Sequence, residues 1–340
     1  MADLSPGSRR EGERGQLLLI GAFIIAVSFV VLALVVNSAI FTENLATRDE
    51  VAGSGDALEY RQEVTQSGGD VLTEINQNNS IDTSDQDDKL EENLGYINTQ
   101  GGLQQSAQGR IVEVENDSVV IETGIKVAQD TSRPFSNTSA TSDFPAVVTD
   151  WVVVEDVETT RNLRMNITDL DELASPSDPR PFELEIENSS ASWGMTIIYD
   201  SITDLVTVTV ESPTHGSPEL CTRTATDFIE IDVTRGTVGG EPCHALSQTT
   251  DGTPMWFGLE GEYDIKFNNY GSIKGTYSFI IDDGDFNDDN FGDGGSNPDD
   301  YSYDPYYRDA IYNATVPFNY HTADVGYETE IEIAPGEVPP

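Results

Sequence analysis

Residues 17–36 form the feature that most constrains this chain, a run of 20 uncharged and mainly apolar residues. A helix rises about 1.5 Å per residue, so a helix of this length spans roughly 30 Å, the thickness of the hydrocarbon core of a bilayer. A soluble domain does not need an N-terminal helix that is apolar on every side. We therefore expect a transmembrane helix here, extended as a long helix over 16–51 and ended by Gly53 and Gly55.

The charges that flank this run predict its orientation. Residues 9–14 contain three arginines, whereas residues 37–51 contain three acidic residues and one arginine. Because positive charge is retained on the cytoplasmic side of a membrane, we expect a single-pass protein of the cell membrane whose C-terminal part is extracellular.

The chain is strongly acidic, with 61 acidic and 17 basic residues and a formal net charge of −44. Such a surface repels itself at low ionic strength, but molar salt shortens the Debye length to about 3 Å and removes most of the repulsion. This composition predicts a halophilic protein. Nucleic acids are excluded as partners, because their phosphates carry the same sign of charge.

The pattern along the chain predicts an α+β protein. Residues 52–109 have the composition of a polar helical segment, in which Ser67, Gly68 and Gly69 predict a break between two helices. From about residue 110 the apolar residues recur with period two, without intervening helical runs, which predicts a mainly antiparallel, β-sandwich-like domain over 110–340. The pattern leaves open whether this domain consists of one unit or two.

Individual strands can be proposed from the same alternation. Asn116-Asp117 between two alternating runs predicts a hairpin of 111–115 with 118–122. Further strand candidates are 146–155, 182–187, 195–199, 205–210, 228–233, 263–267 and 278–281.

Two cysteines, Cys221 and Cys243, lie in the part of the chain that we expect to be exported. An even cysteine count outside the cell predicts a disulfide. Zinc binding by both cysteines with His244 is the alternative, although the paired C-x-x-C spacing of zinc sites is missing.

The residues Arg14, Gly15 and Gln16 lie directly before the apolar run. This arrangement resembles the class III signal peptide of archaeal type IV pilins and archaellins. The resemblance covers about residues 9–50, and with the acidity it indicates a haloarchaeal pilin-like surface protein. It implies that a prepilin peptidase removes the leader, residues 1–15, by cutting between Gly15 and Gln16. Ile20 occupies the fifth mature position, where the bacterial pattern has glutamate. An uncleaved signal anchor is the alternative.

An acidic loop at 282–304 suggests a cation site. Asp283, Asp285, Asn287 and Asp289 place oxygen ligands at alternating positions, as calcium prefers. Asp288 and Gly294 occupy the positions where an EF-hand loop has glycine and glutamate, so the loop does not match that motif. A solvated acidic loop is the interpretation that the acidic composition favours, and calcium binding is the second interpretation and the one cofactor that the sequence suggests.

Six asparagines stand in the N-x-[ST] pattern for N-glycosylation. These are Asn78, Asn116, Asn137, Asn166, Asn188 and Asn313.

No catalytic motif is found in the sequence. The three histidines are outside H-E-x-x-H, and G-x-S-x-G, phosphate-loop and dinucleotide motifs are missing. We therefore expect a non-enzymatic protein.

The first hypothesis for the function is a pilin-like structural subunit, minor or pilus-associated, whose partners are the membrane, the prepilin peptidase and other subunits or copies of itself. The second is a tethered adhesin or ligand-binding module that does not polymerise, and an extracellular hydrolase ranks third.

Overall fold

The computed structural model describes residues 55–78, 81–136, 150–211, 218–247, 261–282, 292–293 and 305–336. The predicted transmembrane helix and its extension to residue 51 lie outside these ranges. Within them, no helix is both long enough and apolar enough to cross a membrane. Most elements are antiparallel β-strands, which confirms the predicted β-rich and mainly antiparallel character of the domain.

Two helices precede the strands, α1 over residues 55–77 and α2 over Gln86–Ser106. In α1 the buried apolar residues recur at the three- and four-residue spacing of one helix face. They are Ala57, Tyr60, Val64, Leu72 and Ile75. The first turn of α2 carries Asp87 and Asp88, whose charges interact favourably with the helix dipole. A third, short helix, α3, covers His244–Ser247.

The predicted helix break at 67–69 is wrong, because α1 continues through it. The two glycines instead allow the helix backbone to approach the end of the chain closely. A Cβ atom on Gly68 would lie 2.7 Å from Cδ1 of Ile333, and one on Gly69 would lie 2.8 Å from the carbonyl oxygen of Ala334. The glycines therefore serve packing at this position.

The described strands form two sheets, of which the larger has ten strands. Its main path runs β1-β15-β2-β13-β4-β9-β10-β11, and β14 and β16 pair with β15. All its pairs are antiparallel except β14 with β15. The strands are β1 (Ile111–Val114), β2 (Val120–Pro134), β4 (Thr160–Ile167), β9 (Ile229–Asp232), β10 (Thr237–Val238), β11 (Glu241–Pro242), β13 (Lys274–Ile281), β14 (Gly292–Asp293), β15 (Tyr306–His321) and β16 (Gly326–Ile333).

The smaller sheet has six described strands in the order β3-β12-β5-β6-β7-β8. They are β3 (Trp151–Val157), β5 (Phe182–Glu187), β6 (Ser192–Asp200), β7 (Leu205–Glu211), β8 (Glu219–Thr224) and β12 (Tyr263–Asn268). In β5, β7 and β12 buried residues alternate with more exposed ones. This is the pattern of a sheet with one face in a core and the other towards solvent.

The main core lies between the two sheets and contains buried side chains from both. Its centre is aromatic: the rings of Phe135 and Phe267 contact each other, and each also contacts Phe182 and Tyr277. The ring centroids of Phe135 and Tyr277 are 5.0 Å apart, and those of Phe182 and Phe267 are 5.5 Å apart, both edge to face. Aromatic pairs favour this arrangement.

A second core joins the helices to the large sheet. Buried residues of α1 and α2 pack there against β1, β15 and β16. The rings of Tyr60 and Phe318 lie 5.9 Å apart, and Leu72, Leu90 and Leu94 are completely buried. The helices are thus an integral part of the domain.

The predicted hairpin at Asn116-Asp117 is wrong. Both β1 and β2 pair with β15, which provides 16 residues and so accommodates them one after the other. A 3₁₀ turn over Asn116–Ser118 joins the two strands, which run in the same direction. The chain therefore continues along β15 instead of turning back.

The side chain of Asn76 in α1 forms hydrogen bonds with the backbone at one edge of β15. Its Nδ2 donates to the carbonyl oxygen of Ile311 at 2.8 Å, and its Oδ1 accepts from the Ile311 amide at 2.9 Å. Only 1% of Asn76 is exposed. The side chain thereby satisfies both backbone groups of Ile311, as a neighbouring strand would.

The predicted disulfide is present. Cys221 lies in β8, which is an end strand in the order of the small sheet. Cys243 directly follows β11, which is an end strand in the order of the large sheet. Their Cα atoms are 5.7 Å apart. Arg223 and Glu241 form an ion pair of 3.3 Å beside the bond. The disulfide therefore joins the end strands of the two sheets.

Replacing Asn76 with alanine should lower the free energy of unfolding by about 2–3 kcal/mol, because the amide and carbonyl of Ile311 lose their partners in a buried place. Thermal unfolding of the purified chain in molar salt measures the change. Asn93→Ala is the matched control: Asn93 is a partly exposed helical asparagine with one solvent-exposed bond to the Lys89 carbonyl. Equal effects of the two substitutions would contradict the role assigned to Asn76.

Replacing both cysteines with serine should lower the free energy of unfolding by roughly 3 kcal/mol, because the unfolded chain regains the entropy of the loop that the bond closes. Unfolding with and without reductant measures this change. Reductant should destabilise the natural chain and leave the double variant unaffected. If reductant has no effect on the natural chain, the bond contributes nothing to stability.

Candidate functional site

A polar pocket of about 320 Å³ lies on the large sheet at the end of α1. Four strands, β2, β4, β9 and β13, form its walls together with the last residue of α1. The lining residues are Gln77, Lys126, Gln129, Asp130, Arg164, Met165, Asn166, Glu230, Thr276, Tyr277 and Ser278. Its volume is at the lower end of the range of small-molecule sites.

The strand alternation places polar side chains in this pocket. In β4, Met165 and Ile167 belong to the main core, so Arg164 and Asn166 point to the opposite face. Tyr277 of β13 likewise belongs to the core, which leaves its neighbours Thr276 and Ser278 on the pocket side.

Lys126 of β2 is the most deeply buried cation of the pocket, with 4% of its surface exposed. Burial lowers the pKa of its ammonium to about 8; Asp130 opposes this shift and Arg308 adds to it. Arg308 is its register partner in β15. The ammonium lies 5.9 Å from the ring centroid of Tyr306, whose hydroxyl donates to Asp130 at 2.7 Å.

Arg164 forms an ion pair of 2.9 Å with Asp232 of β9, which is 4% exposed. Burial raises the pKa of the Asp232 carboxyl. Two effects oppose this shift: the Arg235 amide donates a hydrogen bond to the carboxyl at 2.8 Å, and the charges of Arg164 and Arg235 favour its ionised form. The pair fixes the guanidinium at the pocket wall.

Two buried side-chain oxygens of the pocket accept no hydrogen bond from any described residue, namely Oε1 of Gln129 and Oδ1 of Asn166. Gln129 is completely buried and uses its Nε2 to donate to the carbonyl oxygens of Arg133 and Gly275. A buried acceptor without a donor is unfavourable. The pocket is therefore suited to a molecule that donates hydrogen bonds.

Several residues predicted from sequence lie outside the described ranges. They are Arg14, Gly15, Gln16, Asn137, Asp283, Asp285, Asn287 and Asp289. In the part of the chain that the structure describes, no group of three or more His, Cys, Asp or Glu side chains is arranged to hold a metal ion. The zinc alternative for Cys221, Cys243 and His244 is wrong, because both sulfur atoms belong to the disulfide.

The other asparagines of the sequons occupy different environments. Asn78 is exposed, and Asn116 is partly exposed. Asn188 lies in the turn between β5 and β6, where its Oδ1 accepts from the amides of Ser190 and Ala191 at 2.9 Å. Asn166 lines the pocket. Asn313 is 8% exposed and donates to Glu122 at 2.7 Å, so a glycan would have to replace this bond.

None of the pocket cations was singled out from the sequence. Lys126 carries the clearest signal, because it is one of four lysines in the chain and stands within the short apolar stretch of Ile125, Val127 and Ala128. A lysine in such a position is seldom buried without a specific partner or role.

The buried ammonium of Lys126 should make stability depend on pH. Between about pH 8 and the ordinary lysine value of 10.5 the unfolded chain holds this proton and the folded chain does not, so stability rises with pH. The natural chain should thus gain up to about 3 kcal/mol over Lys126→Met across this window. Thermal unfolding of both proteins in molar salt measures the gain. Parallel pH profiles would contradict the shift.

The comparisons with known proteins give a match to one family model, over part of the chain. A family model described as "Family of unknown function (DUF7261)" matches residues 11–157, from the residues before the apolar run to the end of β3. No curated protein and no solved structure matches the chain.

Proposed function

We propose that this chain is a pilin-like surface protein, held in the membrane by residues 17–36, that displays its β-rich domain outside the cell as a minor or pilus-associated subunit. The observation that carries the proposal is the packing of α1. This helix is present from residue 55, 19 residues beyond the apolar run, and is built into the second core. The described helix nearest in sequence to the apolar run is thus packed into the domain, which supports the proposal.

The contacts of α1 support a firm connection. Tyr60 and Leu72 are buried, Gly68 and Gly69 bring the helix backbone against the end of β16, and Asn76 bonds to β15. A subunit that assembles through its N-terminal helix needs such a connection, because the position of the helix then determines the position of the domain.

The leader supports the same proposal. Arg14, Gly15 and Gln16 directly before the apolar run are the features on which a prepilin peptidase would act. After cleavage the helix would begin at Gln16 and would be free to pack with other subunits in the membrane or in a filament. The acidic composition suits an extracellular domain in a salt-rich medium.

A tethered ligand-binding module that does not polymerise is the second candidate. The pocket with Lys126 and Arg164 favours it, because a purely structural subunit does not need a polar cavity of this size. The two candidates differ at the leader, since simple anchoring does not require its removal.

The mature protein should begin at Gln16, which intact-mass measurement of the chain extracted from membranes tests directly. Gly15→Val should block cleavage, because the small residue before the cut is replaced by a branched one. Gly7→Val is the matched control, since Gly7 lies within the leader away from the cut. Recovery of the natural chain with its first residues intact would overturn the pilin-like proposal and leave the tethered module.

A further inference from the structure

We propose that the pocket beside Lys126 binds one neutral sugar ring, such as a hexose unit of a glycan. The proposal rests on the two buried acceptors, the donors beside them, the charge balance and the volume of the pocket. It is independent of the pilin-like proposal, because it concerns the folded domain alone.

The two open acceptors indicate what a ligand must supply. Oε1 of Gln129 and Oδ1 of Asn166 are buried in the pocket wall and receive no hydrogen bond from the described residues. Both oxygens are neutral and need a donor. A hydroxyl group satisfies such an oxygen without bringing a charge into a buried place.

The remaining polar groups of the lining can bind the oxygen atoms of the ligand hydroxyls. The ammonium of Lys126 and the guanidinium of Arg164 donate, and Thr276 and Ser278 can donate and accept. A sugar hydroxyl also donates and accepts at once. A ring that carries several hydroxyls therefore matches this alternation of donors and acceptors better than a ligand with one kind of group.

The charged side chains of the described residues that line the pocket balance one another. Lys126 and Arg164 are accompanied by Asp130 and Glu230 in the lining, and Arg308 and Asp232 add one charge of each sign behind it. A charged ligand would gain little from such a site, and anions are further disfavoured by the net charge of −44. The balance favours an uncharged, polar ligand.

The volume limits the ligand to a single ring. About 320 Å³ is close to the lower end of small-molecule sites. The aromatic ring of Tyr277 belongs to the main core, so binding depends mainly on hydrogen bonds. We therefore expect dissociation constants in the millimolar range.

The experiment is a titration of the purified full-length chain in molar salt with D-glucose, D-galactose, D-mannose and N-acetyl-D-glucosamine, followed by saturation-transfer NMR and calorimetry. At least one of these sugars should bind with millimolar affinity. D-glucuronate and glycine test the anionic and zwitterionic classes and should bind more weakly. If none of the four neutral sugars binds, the proposal is overturned and water is left as the partner of the two oxygens. If either charged probe binds more tightly than the sugars, the proposal is also overturned and the pocket is assigned to another ligand.

Variants locate the binding. Asn166→Leu removes one open acceptor at nearly constant volume and should weaken binding about tenfold, the equivalent of one neutral hydrogen bond. Asn319→Leu is the matched control, an asparagine of the same sheet that donates to Glu115 away from the pocket. Ser278→Ala is a second, milder change should Asn166→Leu fail to fold. Unchanged affinity in a folded Asn166→Leu or Ser278→Ala chain would refute binding at this site.

Discussion

The hydrogen-bond ladder of β15 is the interaction on which the rest of the structure depends. One edge of this strand pairs with β2 and then β1, and the other pairs with β16 and is continued by Asn76. Its first half places the partly buried Tyr307 against the main core, and its second half contributes Val316 and Phe318 to the second core. The second core and the alignment of Arg308 with Lys126 depend on this single strand.

The sequence predicted the elements whose pattern is local. Phe182–Glu187 alternates strictly, and the strand has these bounds. By contrast, β15 was not among the strand candidates although it is the longest strand described. Its register shifts between Ile311 and Asn313, which interrupts the period of two, and it contains Pro317, which is rare in strand interiors. The pairing partners that stabilise it are distant in the chain and cannot be read from its own residues.

The pocket could not be predicted for a related reason. Its lining comes from α1 and from four strands that are brought together only by sheet order, so Lys126, Arg164 and Glu230 share no spacing in the sequence.

The glycines of α1 illustrate a different difficulty. Gly68 and Gly69 have the composition of a helix break, yet they permit contact with Ile333 and Ala334, residues more than 260 positions further along the chain. Only tertiary structure distinguishes these two uses of glycine.

The separation of the two cores has a mechanical consequence. A pull on the chain ahead of residue 55 loads α1 first, and through it β15 and β16. The disulfide joins β8, the end strand of the small sheet, to the segment after β11. β11 lies at the end of the large sheet opposite to β15 and β16. The covalent bond therefore keeps the sandwich closed but does not bear the tension. The resistance of the domain to unfolding under such a pull therefore depends on the noncovalent packing of α1.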